Sequence, residues 1–331
     1  MRHRIFFARR MARLVAFALI GWLALAPRAA AQSNEGAFER TLKVSGPVVL
    51  TIQSGSGRIR VSPGAGDSVR IAAHLRADSS WLSGDATSRI REIEKNPPIE
   101  QSGNTIRVGH FPNEDMARHI SISYDVTVPA ETTLDARTGS GSVESGDLRG
   151  KVEAHSGSGS VTLGRVAGAV VASTGSGSID VAGGASLDAH SGSGSIKAMA
   201  VGGAVKASTG SGGIRVAQAG KGDVDVSSGS GDIEVAGADG AVRVSASSGR
   251  IVVEGRPSAP WKIDSSSGAV TLRLPPDAAF DLDARVSSGG IDSAHPVTMM
   301  GQIDRRRLQG KVRGGGPLIS VHTASGGIHI Q

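Results

Sequence analysis

The sequence predicts an all-β fold, a parallel β-solenoid with about 18 residues per coil and one short helical insertion. Three observations carry that prediction. The first is a repeat: [ST]-G-S-G-x-[IV] recurs as "SGSGRI" (54–59), "TGSGSV" (138–143), "SGSGSV" (156–161), "TGSGSI" (174–179), "SGSGSI" (191–196), "TGSGGI" (209–214) and "SGSGDI" (228–233), then decays to "SSGRI", "SSGAV", "SSGGI" and "ASGGI". From residue 141 to 268 its second glycine returns every 17 to 19 residues, with a last step of 21 to residue 289. A fixed period of this length marks a repeat architecture.

The second observation is alternation with a phase change. Val152, Ala154, Ser156 and Ser158 share one face before the motif, and Val161 and Leu163 share it after. Two short strands joined at a corner keep one apolar side inward. Glycine serves such a corner through positive φ or through close backbone approach, and the inward Ser and Thr are expected to hydrogen-bond their equivalents in the next coil. Third, aligned repeats place Asp188, Lys206, Asp225 and Arg243 in one outward column of alternating sign; a second column, Asp180, Lys197, Arg215 and Glu234, gives two favourable pairs and one unfavourable one, a partial support. Parallel in-register strands set such charges about 4.8 Å apart, whereas a hairpin meander would face Asp188 with Met199 and Asp225 with Ala236. The parallel solenoid is the better match.

In chain order, residues 1–31 read as an export leader. Arg2, Arg4, Arg9, Arg10 and Arg13 precede the apolar run "LVAFALIGWLALA", and "AAA" at 29–31 offers a cleavage site. A single solenoid domain is expected over 32–331, with coils beginning near Phe38. An insertion at 77–120 holds a predicted helix, with Ala86, Ile90 and Ile93 on one face and Pro97-Pro98 stopping it. It is expected to pack over the N-terminal region, where a solenoid end needs covering. A basic loop at 299–316 then precedes a final coil at 317–331, which is expected to form the end of the stack.

Composition bounds the function. The chain has 36 Lys and Arg against 30 Asp and Glu; six of those Arg lie in the leader, which leaves 30 of each in the mature chain. A chain of zero net charge gives no support to nucleic-acid binding. No cysteine excludes disulfides, a thiol nucleophile, an acylated N-terminal Cys and Cys-based zinc. No run after residue 31 approaches the roughly 18 apolar residues of a membrane helix. The expected location is therefore periplasmic or secreted. The remaining aromatics are Phe38, Trp81, Phe111, Tyr124, Trp261 and Phe280, so a thin interior of Val, Ile, Leu and Ala is expected.

The SGSG-x-[IV] coils, the segment "ISISYDVTVPAETTLDARTGSGSV" and the terminal "SGGIHIQ" resemble a bacterial β-strand-repeat family labelled adhesin, of unknown function, over about residues 38–331. The resemblance implies a parallel β-helix-like solenoid that is exported or membrane-associated. It implies no catalytic signature.

"GSGSI" lacks the third glycine of a dinucleotide loop and the GK[ST] of a phosphate loop. The period is double that of nine-residue calcium-binding repeats. Polysaccharide-active β-helix enzymes need acids converging on one patch. The densest acidic area is Asp223, Asp225, Asp232 and Glu234, and Asp225 and Glu234 already belong to the charge columns. His155 and His190 lie two coils apart with Ser173 between them, and His322 and His329 flank the last corner, so neither pair reads as a metal site. Arg305, Arg306, Arg307, Lys311 and Arg313, opposed by Asp304 alone, are the candidate binding residues for an anionic partner. The expectation is a non-enzymatic exported solenoid, without a cofactor, that binds or spaces envelope or extracellular components such as an envelope polymer or a surface protein. The alternatives are a polysaccharide-active enzyme and an envelope-stress or assembly accessory acting through protein partners.

Overall fold

Each repeat supplies one strand to each of two sheets. The strands that enter the corners form a 15-stranded leading sheet and those that leave form a 14-stranded trailing sheet, so the core lies between two ladders rather than inside one. The computed structural model describes residues 34–77, 84–299 and 306–331, and Asn34–Gln331 make one compact unit. The predicted leader at 1–31, Trp81 and Arg305 lie outside the described residues.

In the middle of the stack successive coils are parallel and in register. Val152–Ser156 pairs with Ala169–Thr174, which pairs with Ser186–Ser191, then Val205–Thr209, then Val224–Ser228. The predicted column is present: Asp188 faces Lys206, Lys206 faces Asp225, and Asp225 faces Arg243. Inward Val, Ile, Leu and Ala are buried, among them Val152, Ala154, Val161 and Leu163. Ser158, expected inward, is exposed at the corner.

The corners differ in detail from the expectation. The inward hydroxyls do not pair with one another. In the six corners from Thr138 to Ser228 each donates to the carbonyl of the second motif glycine of the preceding coil in the stack and accepts the N–H of the second glycine in its own coil. Thr174 Oγ1 donates to Gly159 O at 2.8 Å and accepts from Gly177 N at 3.1 Å; Ser191 Oγ donates to Gly177 O at 3.0 Å and accepts from Gly194 N at 2.8 Å. The same two bonds form at Thr138, Ser156, Thr209 and Ser228. Close approach explains these glycines: a Cβ on Gly159 would overlap the Gly141 carbonyl, although φ at neither residue is positive. Positive φ is confined to the flanking corners, as at Gly57 (139°) and Gly268 (154°).

Both ends depart from chain order. The residues at 77–120 do more than interrupt the coils. The helix Gly84–Lys95 buries Ala86, Ile90 and Ile93 beside strands Glu35–Lys43 and Ser68–Ala77. Ile99–Ser102 and Thr105–Val108 then form a hairpin that extends the leading sheet beyond Val48–Ser54. In the trailing sheet, Ile59–Gly64 lies between Ile120–Pro129 and Val143–Ser145. Beyond Ile120–Pro129 the strands Ser68–Ala77 and Glu35–Lys43 close the end antiparallel.

The final coil is not the end of the stack, which corrects the expectation for 317–331. Leu318–Ser325 lies between Trp261–Ser267 and Phe280–Ser288, and Ile328–Ile330 between Val270–Arg273 and Ile291–Ser293. Edge protection accounts for the order. The outer edge of Phe280–Ser288 is covered by the antiparallel strand Arg307–Val312, itself followed by Val297–Met299, whereas the final coil brings no cover of its own. The described part of the basic loop is thus largely strand.

Candidate functional site

A cleft of about 940 Å³ opens beside the corners of three stacked coils near the N-terminal end. Its floor comes from the ends of strands Val48–Ser54, Thr132–Thr138 and Val152–Ser156, and its wall from residues 109–118 of the insertion. Local chemistry shapes that wall. Gly109 (φ 80°) passes so close to Gln53 that a Cβ would overlap the Gln53 carbonyl. The Asn113 side chain then caps the turn Glu114–Ala117 by accepting from Asp115 N at 3.0 Å. Arg89, from the helix, donates to the Asp115 carbonyl at 2.9 Å and ties the wall down.

Two floor groups are held by residues outside the cleft lining. Asp135 accepts from Arg137 Nε at 2.9 Å and from Nη2 at 3.1 Å. That hydrogen bond first, and the charge of Asp135 second, hold the Arg137 guanidinium above its ordinary pKa. His155 Nδ1 lies 2.6 Å from Ser173 Oγ. Near Gly109 the Tyr124 hydroxyl is buried with no hydrogen-bond partner, and burial pushes its pKa well above the usual phenol value.

Asp135, Glu153 and His155 have ligand atoms within 4.8 Å of one another and are the set among the described residues that could hold a metal ion. Asp135 is engaged by the Arg137 fork and Glu153 by Lys151. A cation there would have to displace both.

The acids considered for catalysis divide between the two sheets: Asp225 is on the leading sheet, Asp232 and Glu234 on the trailing side of the corner. Asp225 sits 3.8 Å from Arg243, Glu234 2.7 Å from Arg215, and Asp232 3.9 Å from Arg250. Asp223 accepts from Ala241 N at 3.1 Å. His190 repeats the arrangement of His155, with Ser208 Oγ 2.8 Å from its Nδ1. His322 and His329 fall on different sheets.

The basic residues are dispersed. Arg307 lies 3.9 Å from Asp283 and donates to Gln309 at 2.9 Å; Lys311 is opposite Asp281 in the ladder. Arg313 turns away, donating to the Pro276 carbonyl at 2.9 Å, and the Arg306 carbonyl accepts from Val286 N at 2.9 Å. Sequence reasoning missed the cleft, because its wall and floor are far apart in the chain. The signal available was "GHFPN" at 109–113, a histidine and one of the few aromatics placed together inside the insertion.

Two parallel ladders closed by antiparallel caps define the class, an all-β solenoid with a lateral cleft. The chain belongs to the Toastrack DUF4097 family, whose model matches residues 49–331. No curated protein matches it. Among solved structures it is similar to a candidate cell adhesion protein of Clostridium sporogenes, at 9% identity and TM-score 0.20, over 89% of this chain and 99% of that one. It is also similar to a candidate adhesin of Bacteroides fragilis, at 12% identity and TM-score 0.29, over 89% of this chain and 97% of the other. No described helix is long and apolar enough to cross a membrane.

Proposed function

We propose that the protein is a non-enzymatic exported solenoid that binds or spaces envelope or extracellular components. The observation that carries this reading is the continuity of its two outward faces, on which charges pair from one coil to the next. Arg60 meets Glu144 and Arg215 meets Glu234, each at 2.7 Å, and Lys197 meets Asp180 at 3.9 Å. Surface pairs of this kind add little stability, but they keep long faces solvated and regular. The leader-like residues 1–31 support export. An anionic polymer would meet Arg307 and Lys311 on the outward side of a strand near the C-terminal cap.

The test is cell fractionation followed by binding of residues 32–331 to isolated envelope polymers and a glycan array. Recovery outside the cytoplasm with saturable binding and no turnover is expected. Polysaccharide cleavage that is lost in Asp225→Asn or Glu234→Gln would overturn the proposal. A stoichiometric protein partner with no glycan bound would favour an assembly role instead.

A further inference from the structure

We infer that the lateral cleft is a binding site for a carboxylated saccharide, received by the guanidinium of Arg137. The cleft's volume of about 940 Å³ is that of a small-ligand site. The ionisable side chains that line it are His110, Arg118, Arg137 and His155 against the single carboxylate of Asp115. Arg137 is preorganised: Asp135, which does not line the cleft, takes Nε and Nη2 and leaves Nη1 for a ligand. Ser173, also outside the lining, fixes the His155 ring at 2.6 Å. Donors oriented in this way recognise a planar carboxylate at low entropic cost.

Two further observations select a sugar over a peptide. The corner backbone on the floor is already paired along the stack, with Gly139 N donating to Ser54 O and Gly157 N to Thr138 O, each at 3.0 Å. An extended peptide therefore finds no open ladder there. On the wall, Phe111 lines the cleft while packing half-buried against the core, an aromatic side chain of the kind on which a pyranose stacks. One coil further on, Ser173 replaces His155 in the column and the wall has ended.

The inference deepens the binding role proposed above by naming one ligand class. Its test is made in solution and does not depend on where the protein is exported, so the two readings fail separately. Residues 32–331 are titrated calorimetrically with trigalacturonic acid and with its neutral methyl ester. Saturable one-to-one binding of the acid is expected, weakened roughly tenfold or more by esterification and by Arg137→Gln, and unchanged by Arg243→Gln, six coils along the same sheet. If Arg137→Gln does not fold, as read by thermal unfolding, Arg118→Gln on the wall gives the same reading. No binding of the acid, equal binding of the ester, or an unaffected arginine variant would overturn the inference. So would equally tight binding of a triglutamate peptide, which would show charge attraction without saccharide recognition.

Discussion

Between Thr132 and Arg273 each coil lies on the one that precedes it in the chain, whereas at both ends a coil is slotted in out of order. At the start, the coil of Val48–Ser54 and Ile59–Gly64 sits between strands that come later in the chain. At the finish, the last coil sits between two that come earlier. The interiors differ in the same way. The middle is narrow, with Ala154, Ala172, Ala189 and Ala207 facing the trailing strands, while Tyr124, Trp261 and Phe280 are buried toward the ends. Regular coils need only their neighbours, so stability there is a sum of similar nearest-neighbour terms. The ends are closed by contacts between segments remote in the chain, and each depends on one intercalated piece.

The largest effect should come from removing such a piece. Deleting residues 317–331 takes away Ile319, Val321, Ile328 and Ile330, all at most 1% exposed. Their burial is worth roughly 6–12 kcal/mol as an upper figure, at about 1.5–3 kcal/mol per side chain. Because Phe280–Ser288 rests on this coil, limited proteolysis should open residues 280–299 together with the new terminus. Continued protection of 280–299 would mean that the outer coil docks without the intercalated one, and the distinction between ends and middle would lose its basis.

A smaller contrast lies within one motif. Gly159→Ala would drive a methyl group into the Gly141 carbonyl, and overpacking of backbone against backbone should cost about 1–3 kcal/mol. Gly55, the first motif glycine of the intercalated N-terminal coil, has nothing within 4 Å of a Cβ and no positive φ. Gly55→Ala should therefore stay within about 0.5 kcal/mol of the parent in urea denaturation. Equal costs at the two sites would show that flexibility, rather than close approach, sets the need for glycine.

These cases mark what could be read from the sequence. Coil period, the parity change from Val152 and Ala154 to Val161 and Leu163, the strand direction given by Asp188, Lys206, Asp225 and Arg243, and the buried helix face of Ala86, Ile90 and Ile93 all follow from local spacing. Coil order at the ends does not. A parallel strand such as "LISVHTAS" satisfies its ladder against any neighbour of matching pattern, so only the antiparallel cover on Phe280–Ser288 decides which coil is outermost. The hydroxyl partners were hidden for a similar reason: an inward Thr174 reads the same whether it meets Ser191 or a glycine carbonyl. The cleft was illegible because the 109–118 wall meets floor residues brought from 53–55, 137–139 and 155–157.

The hydroxyl ladder separates middle from end at finer scale. Thr174→Val keeps shape but strands the Gly159 carbonyl and the Gly177 N–H, and should cost about 1–3 kcal/mol. The ladder is interrupted where Ala246 takes the hydroxyl position; one coil on, Ser265 Oγ is buried with no partner, and the donation to a glycine carbonyl returns only at Thr323, to Gly268 O at 3.2 Å. Ser265→Ala removes a desolvated hydroxyl that returns nothing, so it should be neutral or raise stability by up to about 1 kcal/mol, opposite in sign to Thr174→Val. Matched melting curves of the two variants decide the point. A loss at Ser265 as large as that at Thr174 would mean that a bridging water carries the ladder unbroken through Ser265 to Thr323, and that the boundary between the two regions lies beyond Trp261.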